Sequence, residues 1–193
     1  MVEHRSVAAG VTGSIPVSHP EMDIKIFYFF NSLAGQSVFW DYIFIFLARY
    51  LWYLLITVFL VHLFFNKQIR RRQKIFWFTS ALVSTAIARG IVAEVVRFFY
   101  HNPRPFVNNH VVRLISENSY SFPSGHAIFF FALATIIFFY NKRLAYWLGG
   151  GGIVMSLARI IAGVHWPSDI LGGIVLGILI SWGLHRFAFS RYL

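Results

Sequence analysis

Apolar residues in this chain gather into long runs rather than alternating with polar ones. Continuous apolar stretches occupy residues 42–65, 75–100, 126–140, 144–163 and 169–189. A helix needs roughly 20 such residues to cross about 30 Å of hydrocarbon, so each stretch predicts a membrane span. Ahead of them, Ile24 to Phe39 mixes Ile26, Phe27, Phe29 and Phe30 with Lys25, Asn31, Ser32, Gln36 and Ser37, which suits a helix lying in the membrane interface. The fold class that follows is all-α: a polytopic membrane helical bundle of about five transmembrane helices plus an N-terminal interfacial helix. Residues 24–193 form one membrane-embedded domain. Residues 1–23 carry Glu3, Arg5, Pro16, Pro20, Glu21 and Asp23 without an apolar core, and read as a polar tail rather than a cleavable signal peptide.

The polar interruptions set the orientation. Residues 66–74 hold Lys67, Arg70, Arg71, Arg72 and Lys74, and the bias of basic residues toward cytoplasmic loops puts this loop inside. By alternation Lys142 and Arg143, and later Arg186 and Arg191, also fall inside. The loops 101–125 and 164–168 therefore face outward, toward the periplasm or the exterior of the cell inner or plasma membrane. Composition agrees with a bilayer setting: 58% of residues are hydrophobic and 12% charged, and the mean hydropathy is +0.63. A net charge of +10 invites a nucleic-acid reading. Its basic residues sit at span ends instead of on one soluble face, so they anchor topology and imply no nucleic-acid partner. With no cysteine there are no disulfides and no thiolate metal ligands. Gly149 to Gly152, and Gly173 with Gly177, suit close helix packing.

Both outward loops and the span ends beside them hold polar groups that a purely structural bundle would not need. Arg97 and Arg104 are separated by six residues, and Pro103 ends the second span near Asn102, so two guanidiniums can converge on one anion. Taken alone they read better as an interfacial Arg97 and a solvated Arg104. Pro123, Ser124, Gly125 and His126 stand where the loop enters the third span. There unpaired amides and a positive dipole end form a phosphate cradle, with a hydroxyl from Ser124, close backbone approach at Gly125 and a proton-transfer group in His126. Arg159, His165 and Asp169 complete the set. Pro167 begins the last span, so Asp169 in its first turn reaches His165, fixing the tautomer and sharpening the other ring nitrogen as nucleophile or base. Glu94, three residues before Arg97, orients that arginine. Arg89 is a second charge within the same span.

Arg97-x6-Arg104-Pro105, Pro123-Ser124-Gly125-His126 and Arg159-x5-His165-x3-Asp169 resemble, in order, spacing and membrane side, the three signature motifs of the type 2 phosphatidic acid phosphatase superfamily. The motifs span residues 97–169, and the helical layout is similar from about residue 24 onward. Two positions depart from the family pattern: Arg97 stands where lysine is usual, and Ala158 where serine is usual. The charge survives and one hydroxyl is lost. Residues 26–50, with Phe30-Asn31-Ser32 and Trp40-Asp41, also look like the N-terminal region of bacitracin-resistance-type undecaprenyl pyrophosphate phosphatases.

The resemblance implies a hydrolase acting on a lipid phosphate or pyrophosphate, with membrane lipids around it and no cofactor. His165 would attack phosphorus to give a phosphohistidine, Asp169 would support it, and His126 would act on the leaving oxygen. Arg97, Arg104, Arg159, Ser124 and Gly125 would hold the phosphate. A zinc or magnesium site on His126, His165 and Asp169 is the metal alternative, but the three arginines already supply the positive charge a cation would bring. Undecaprenyl pyrophosphate is the first substrate, with bacitracin resistance and cell wall biogenesis as its setting; phosphatidylglycerol phosphate and other lipid monophosphates come second. A small transporter or channel without hydrolysis is the reading from another class, and the lack of an internal repeat speaks against it.

Overall fold

A computed structural model describes residues 19–189, so most of the predicted polar tail lies outside the described residues. Among the described residues the regular structure is helical. The helices are α1 (Glu21–Asn31), α2 (Val38–Arg49), α3 (Leu51–Phe65), α4 (Arg71–Thr85), α5 (Ala93–Phe99), α6 (Pro105–Asn108), α7 (Gly125–Phe138), α8 (Lys142–Ile161) and α9 (Pro167–Leu184). Wider π-helical turns, Ala86–Val92 and His185–Phe189, join α4 to α5 and extend α9.

Three of the five predicted spans are helices long and apolar enough to cross a membrane: Arg71–Phe99, Lys142–Ile161 and Pro167–Phe189. With such spans the chain is a multi-pass membrane protein. The stretch predicted over 42–65 is two helices, α2 and α3, bent by 48° at Tyr50; taken together they are long and apolar enough for one broken span. The stretch predicted over 126–140 is α7, whose 14 residues reach only roughly 21 Å. Protein explains the short length. Phe138 alone among the residues of α7 is exposed, so this helix has little lipid to match. Apolar residues bulge outward from the other helices, among them Phe98, Trp147, Val175 and Leu179.

Helix α7 is the axis of the bundle, with α8, α9 and α4 around it. Ile128, Phe130, Leu133, Ile136 and Ile137 bury against these neighbours. The approach of α9 depends on glycine: a Cβ on Gly177 would lie 2.6 Å from the carbonyl oxygen of Ile128, and one on Gly173 2.9 Å from that of Ser124. Side chains there would force the two helices apart.

The helix predicted over 24–39 is also two elements. α1 ends at Asn31, and a turn containing Gly35 at φ +76° leads into α2. Asp23, Phe27 and Asn31, spaced four apart, make its buried face. Asp23, assigned by sequence to the tail, belongs to α1: its carboxylate accepts from the backbone N–H (2.8 Å) and hydroxyl (2.7 Å) of Ser168. Asn31 ties the loop before α7 to the end of α8, donating to the carbonyls of Val112 (2.8 Å) and Ile161 (2.9 Å).

Candidate active site

Proline and helix termini set out the site. α5 ends at Phe99, so Arg97 lies on its last turn, and Pro105 starts α6 with Arg104 as its cap. α7 begins at Gly125, after the long loop 109–124, and α9 at Pro167, after the short loop 162–166. Arg159 is on the last turn of α8. These ends converge on a cavity of about 260 Å³, with Arg97, Arg104, Gly125, His126, Arg159 and His165 in its wall. Asp169 stands behind His165, outside that wall.

His165 is 1% exposed. Its Nδ1 lies 3.3 Å from Oδ2 of Asp169 and its Nε2 3.4 Å from Nη1 of Arg104. The fully buried carboxylate of Asp169 accepts from the backbone N–H of Trp166 (2.8 Å), from Asn102 Nδ2 (3.1 Å) and from the Ser121 hydroxyl (3.3 Å). With these donors fixing the carboxylate, Nδ1 carries the proton toward Asp169, and the Nε2 lone pair is left on the side of Arg104, itself a residue of the cavity wall. Burial first, then the charges of Arg159 and Arg104, hold the imidazole well below its ordinary range, so it is neutral at pH 7.

The arginines are held rigidly. Arg104 donates to the carbonyls of Ser119 (2.6 Å) and Val164 (2.6 Å), and burial lowers its pKa to about 10, leaving it charged at pH 7. Arg97 donates to the Pro123 carbonyl (2.9 Å) and to Glu94 (2.8 Å), the contact expected from their spacing. Glu94 also pairs with Arg89, whose side chain joins the cavity wall from the π-helical turn. Gly125 makes room for it, since a Cβ there would lie 2.5 Å from Nε of Arg89. Arg159 donates to the Ala48 carbonyl (3.1 Å) and pairs with Glu117.

Ser124 sits apart from the other expected phosphate-binding residues. It is fully buried, its hydroxyl has no hydrogen-bond partner among the described residues, and it is not part of the cavity wall. Its backbone N–H donates to the Asp169 carbonyl (3.0 Å), tying the start of α7 to α9. Gly125 and His126, its neighbours at the start of α7, do line the cavity.

Sequence reasoning passed over Glu117, Asn102, Ser121 and Ser119. Glu117 had one visible signal: it is the lone carboxylate between residues 101 and 124. Burial pushes its pKa up, but Arg159, Arg104 and Arg97 outweigh this and leave it lowered, so it is ionised. Four arginines against one wall carboxylate leave a cavity built for a multiply charged anion.

Residues 77–193, more than half of the chain, match the PAP2 superfamily. The chain belongs to that family. Undecaprenyl-diphosphatase BcrC of Bacillus subtilis (strain 168) is 30% identical over 170 residues, which cover 86% of this chain and 84% of that protein. The bacitracin transport permease protein BcrC of Bacillus licheniformis is 26% identical over 179 residues, covering 90% of this chain and 86% of that one. Among solved structures, Aquifex aeolicus LpxE has a TM-score of 0.72 at 20% identity, with 89% of this chain and 99% of that chain covered. The protein is thus a PAP2 lipid phosphatase, a hydrolase. Where the PAP2 pattern usually has serine, Ala158 is 2% exposed and packs with Ala48, Ile115 and Val164, so its methyl group extends an apolar cluster behind Arg159.

Proposed function

We propose that this protein hydrolyses undecaprenyl diphosphate to undecaprenyl phosphate and inorganic phosphate through a phosphohistidine on His165. The observation that carries the reading is the His165 ring held between the buried Asp169 carboxylate and Arg104, beside a cavity walled by arginines. The substrate rests on the likeness to the BcrC diphosphatase.

Nε2 of His165 forms a bond to the terminal phosphorus while the bond from that phosphorus to the bridging oxygen breaks. The electron pair leaves with the lipid phosphate. The ring becomes cationic in this step, and Asp169 offsets the new charge. Arg97, Arg104 and Arg159 neutralise the equatorial oxygens, where charge is spread in phosphoryl transfer. His126 gives a proton to the leaving oxygen when that group is basic, then takes one from the water that attacks the phosphohistidine, releasing phosphate. Arg104 puts a fixed cation beside Nε2, where a metal ion would have to bind, which favours chemistry without a metal.

The site lies at the end of the bundle opposite the basic residues of 66–74 and 142–143, which supports an outward-facing site in the cell membrane. Residues 24–193, together with the start of α1 at Glu21, act as a single domain. Purified protein assayed in chelator should release phosphate from undecaprenyl diphosphate and lose that activity on His165→Ala. Release from phosphatidylglycerol phosphate alone would move the substrate to monoesters. No release from any lipid phosphate would overturn the reading.

A further inference from the structure

A second cavity, of about 360 Å³, adjoins the first across Trp52, Glu117, His126 and Arg159, which belong to the walls of both. Its own wall includes Arg49, Tyr50 and Tyr53, at the bend between α2 and α3. Arg49 differs from the arginines of the first cavity. Arg89 and Arg97 share Glu94, and Arg104 and Arg159 share Glu117. Among the described residues Arg49 has no carboxylate within ion-pair distance, and its guanidinium lies 5.9 Å from the centre of the Tyr50 ring. The sequence attaches no motif to it.

The geometry points to Arg49 as the cation of a second phosphate subsite, one that holds the lipid-linked phosphate of a diphosphate substrate. This deepens the reading above and rests on it. His165 faces only the first cavity, so the phosphorus under attack sits there. His126 faces both, and its position marks the bridging oxygen between the two phosphates. The leaving group then lies in the second cavity. When the bridging bond breaks, a diphosphate leaves behind a phosphate monoester that gains negative charge, which Arg49 is placed to neutralise. A monophosphate has no such group and draws nothing from this subsite. Arg49 is therefore a specificity-determining residue for diphosphates over monophosphates.

The test compares farnesyl diphosphate with farnesyl monophosphate in phospholipid-free detergent, reading kcat/KM for each. Loss of one charged hydrogen-bond donor corresponds to a factor of about 10 to 100, so Arg49→Gln should lower the diphosphate-to-monophosphate ratio by about that amount. Arg49→Lys, which keeps the charge without the fork, should lower the ratio less, and it carries the same test if the glutamine variant does not accumulate. An unchanged ratio, with both substrates losing equally or neither losing, overturns the subsite. A ratio that falls only in phosphatidylglycerol vesicles and not in detergent assigns Arg49 to a bilayer headgroup and overturns it as well. Wild-type protein that cleaves neither substrate would instead remove the phosphatase reading, and the subsite with it.

Discussion

Glu117 sets its carboxylate against the guanidinium of Arg159 and 3.9 Å from Nη2 of Arg104. An internal anion thus engages two of the cavity's arginines. On the proposed reading, a phosphate entering the cavity competes with Glu117 for them.

Removing that competitor should tighten anion binding. Glu117→Gln is expected to lower the inhibition constant for inorganic phosphate by about 5- to 50-fold, the range for losing one partly desolvated charge interaction. Product-inhibition kinetics measure it directly. A weaker affinity would mean instead that Glu117 chiefly holds Arg159 in place.

Asp169 accepts three hydrogen bonds besides its contact with His165, and an amide in its place cannot keep all of these partners and the imidazole tautomer. Asp169→Asn should reduce kcat by about 10³-fold while leaving KM within a few-fold, by analogy with other histidines oriented by carboxylates. Acid-quenched radiolabelled substrate provides a second readout, since the phosphohistidine should accumulate less in the variant.

The depressed pKa of His165 has a stability consequence. Unfolded, the ring titrates near 6.5; folded, burial holds it well below that value. Between the two the unfolded chain binds more protons, so stability from this group is full above pH 6.5 and is lost as pH falls from there toward the folded value. The thermal midpoint in detergent should drop as the buffer is taken from pH 7 to pH 5, and the drop should be smaller in His165→Ala. An identical slope in both proteins would trace the effect to other groups.

Two glycines should fail differently. At Gly177 an added methyl meets the backbone of α7, so Gly177→Ala is expected to destabilise the bundle by about 1–3 kcal/mol, seen as a lower thermal midpoint. At Gly125 the methyl meets the Arg89 side chain, which can move aside. Gly125→Ala should therefore keep its midpoint within about 1 kcal/mol while losing activity, because Arg89 leaves the cavity wall.

Much of the site was legible because its signals are local. Proline and glycine mark where spans begin and end, and the i,i+3 and i,i+4 spacings that join Glu94 to Arg97 and His165 to Asp169 are properties of single helices or their edges. Contacts between distant segments were not. Glu117 meets Arg159 across 42 residues, and Asn102 meets Asp169 across 67. Asp23 reaches Ser168 across 145, so a residue that reads as tail serves as an anchor for α9. Hydropathy likewise counts apolar residues without sensing what they touch. That is why α2 and α3 read as one unbroken span, and why α7 read as an ordinary crossing helix although protein surrounds it.

The seclusion of α7 has a mechanical consequence. Lipid stretches or thins against the outer helices, and they absorb a change in bilayer thickness by tilting. α7 carries His126 on its first turn, and Phe138, at its far end, is its one exposed residue. A change in bilayer thickness thus reaches the head of α7 mainly through the helices packed around it.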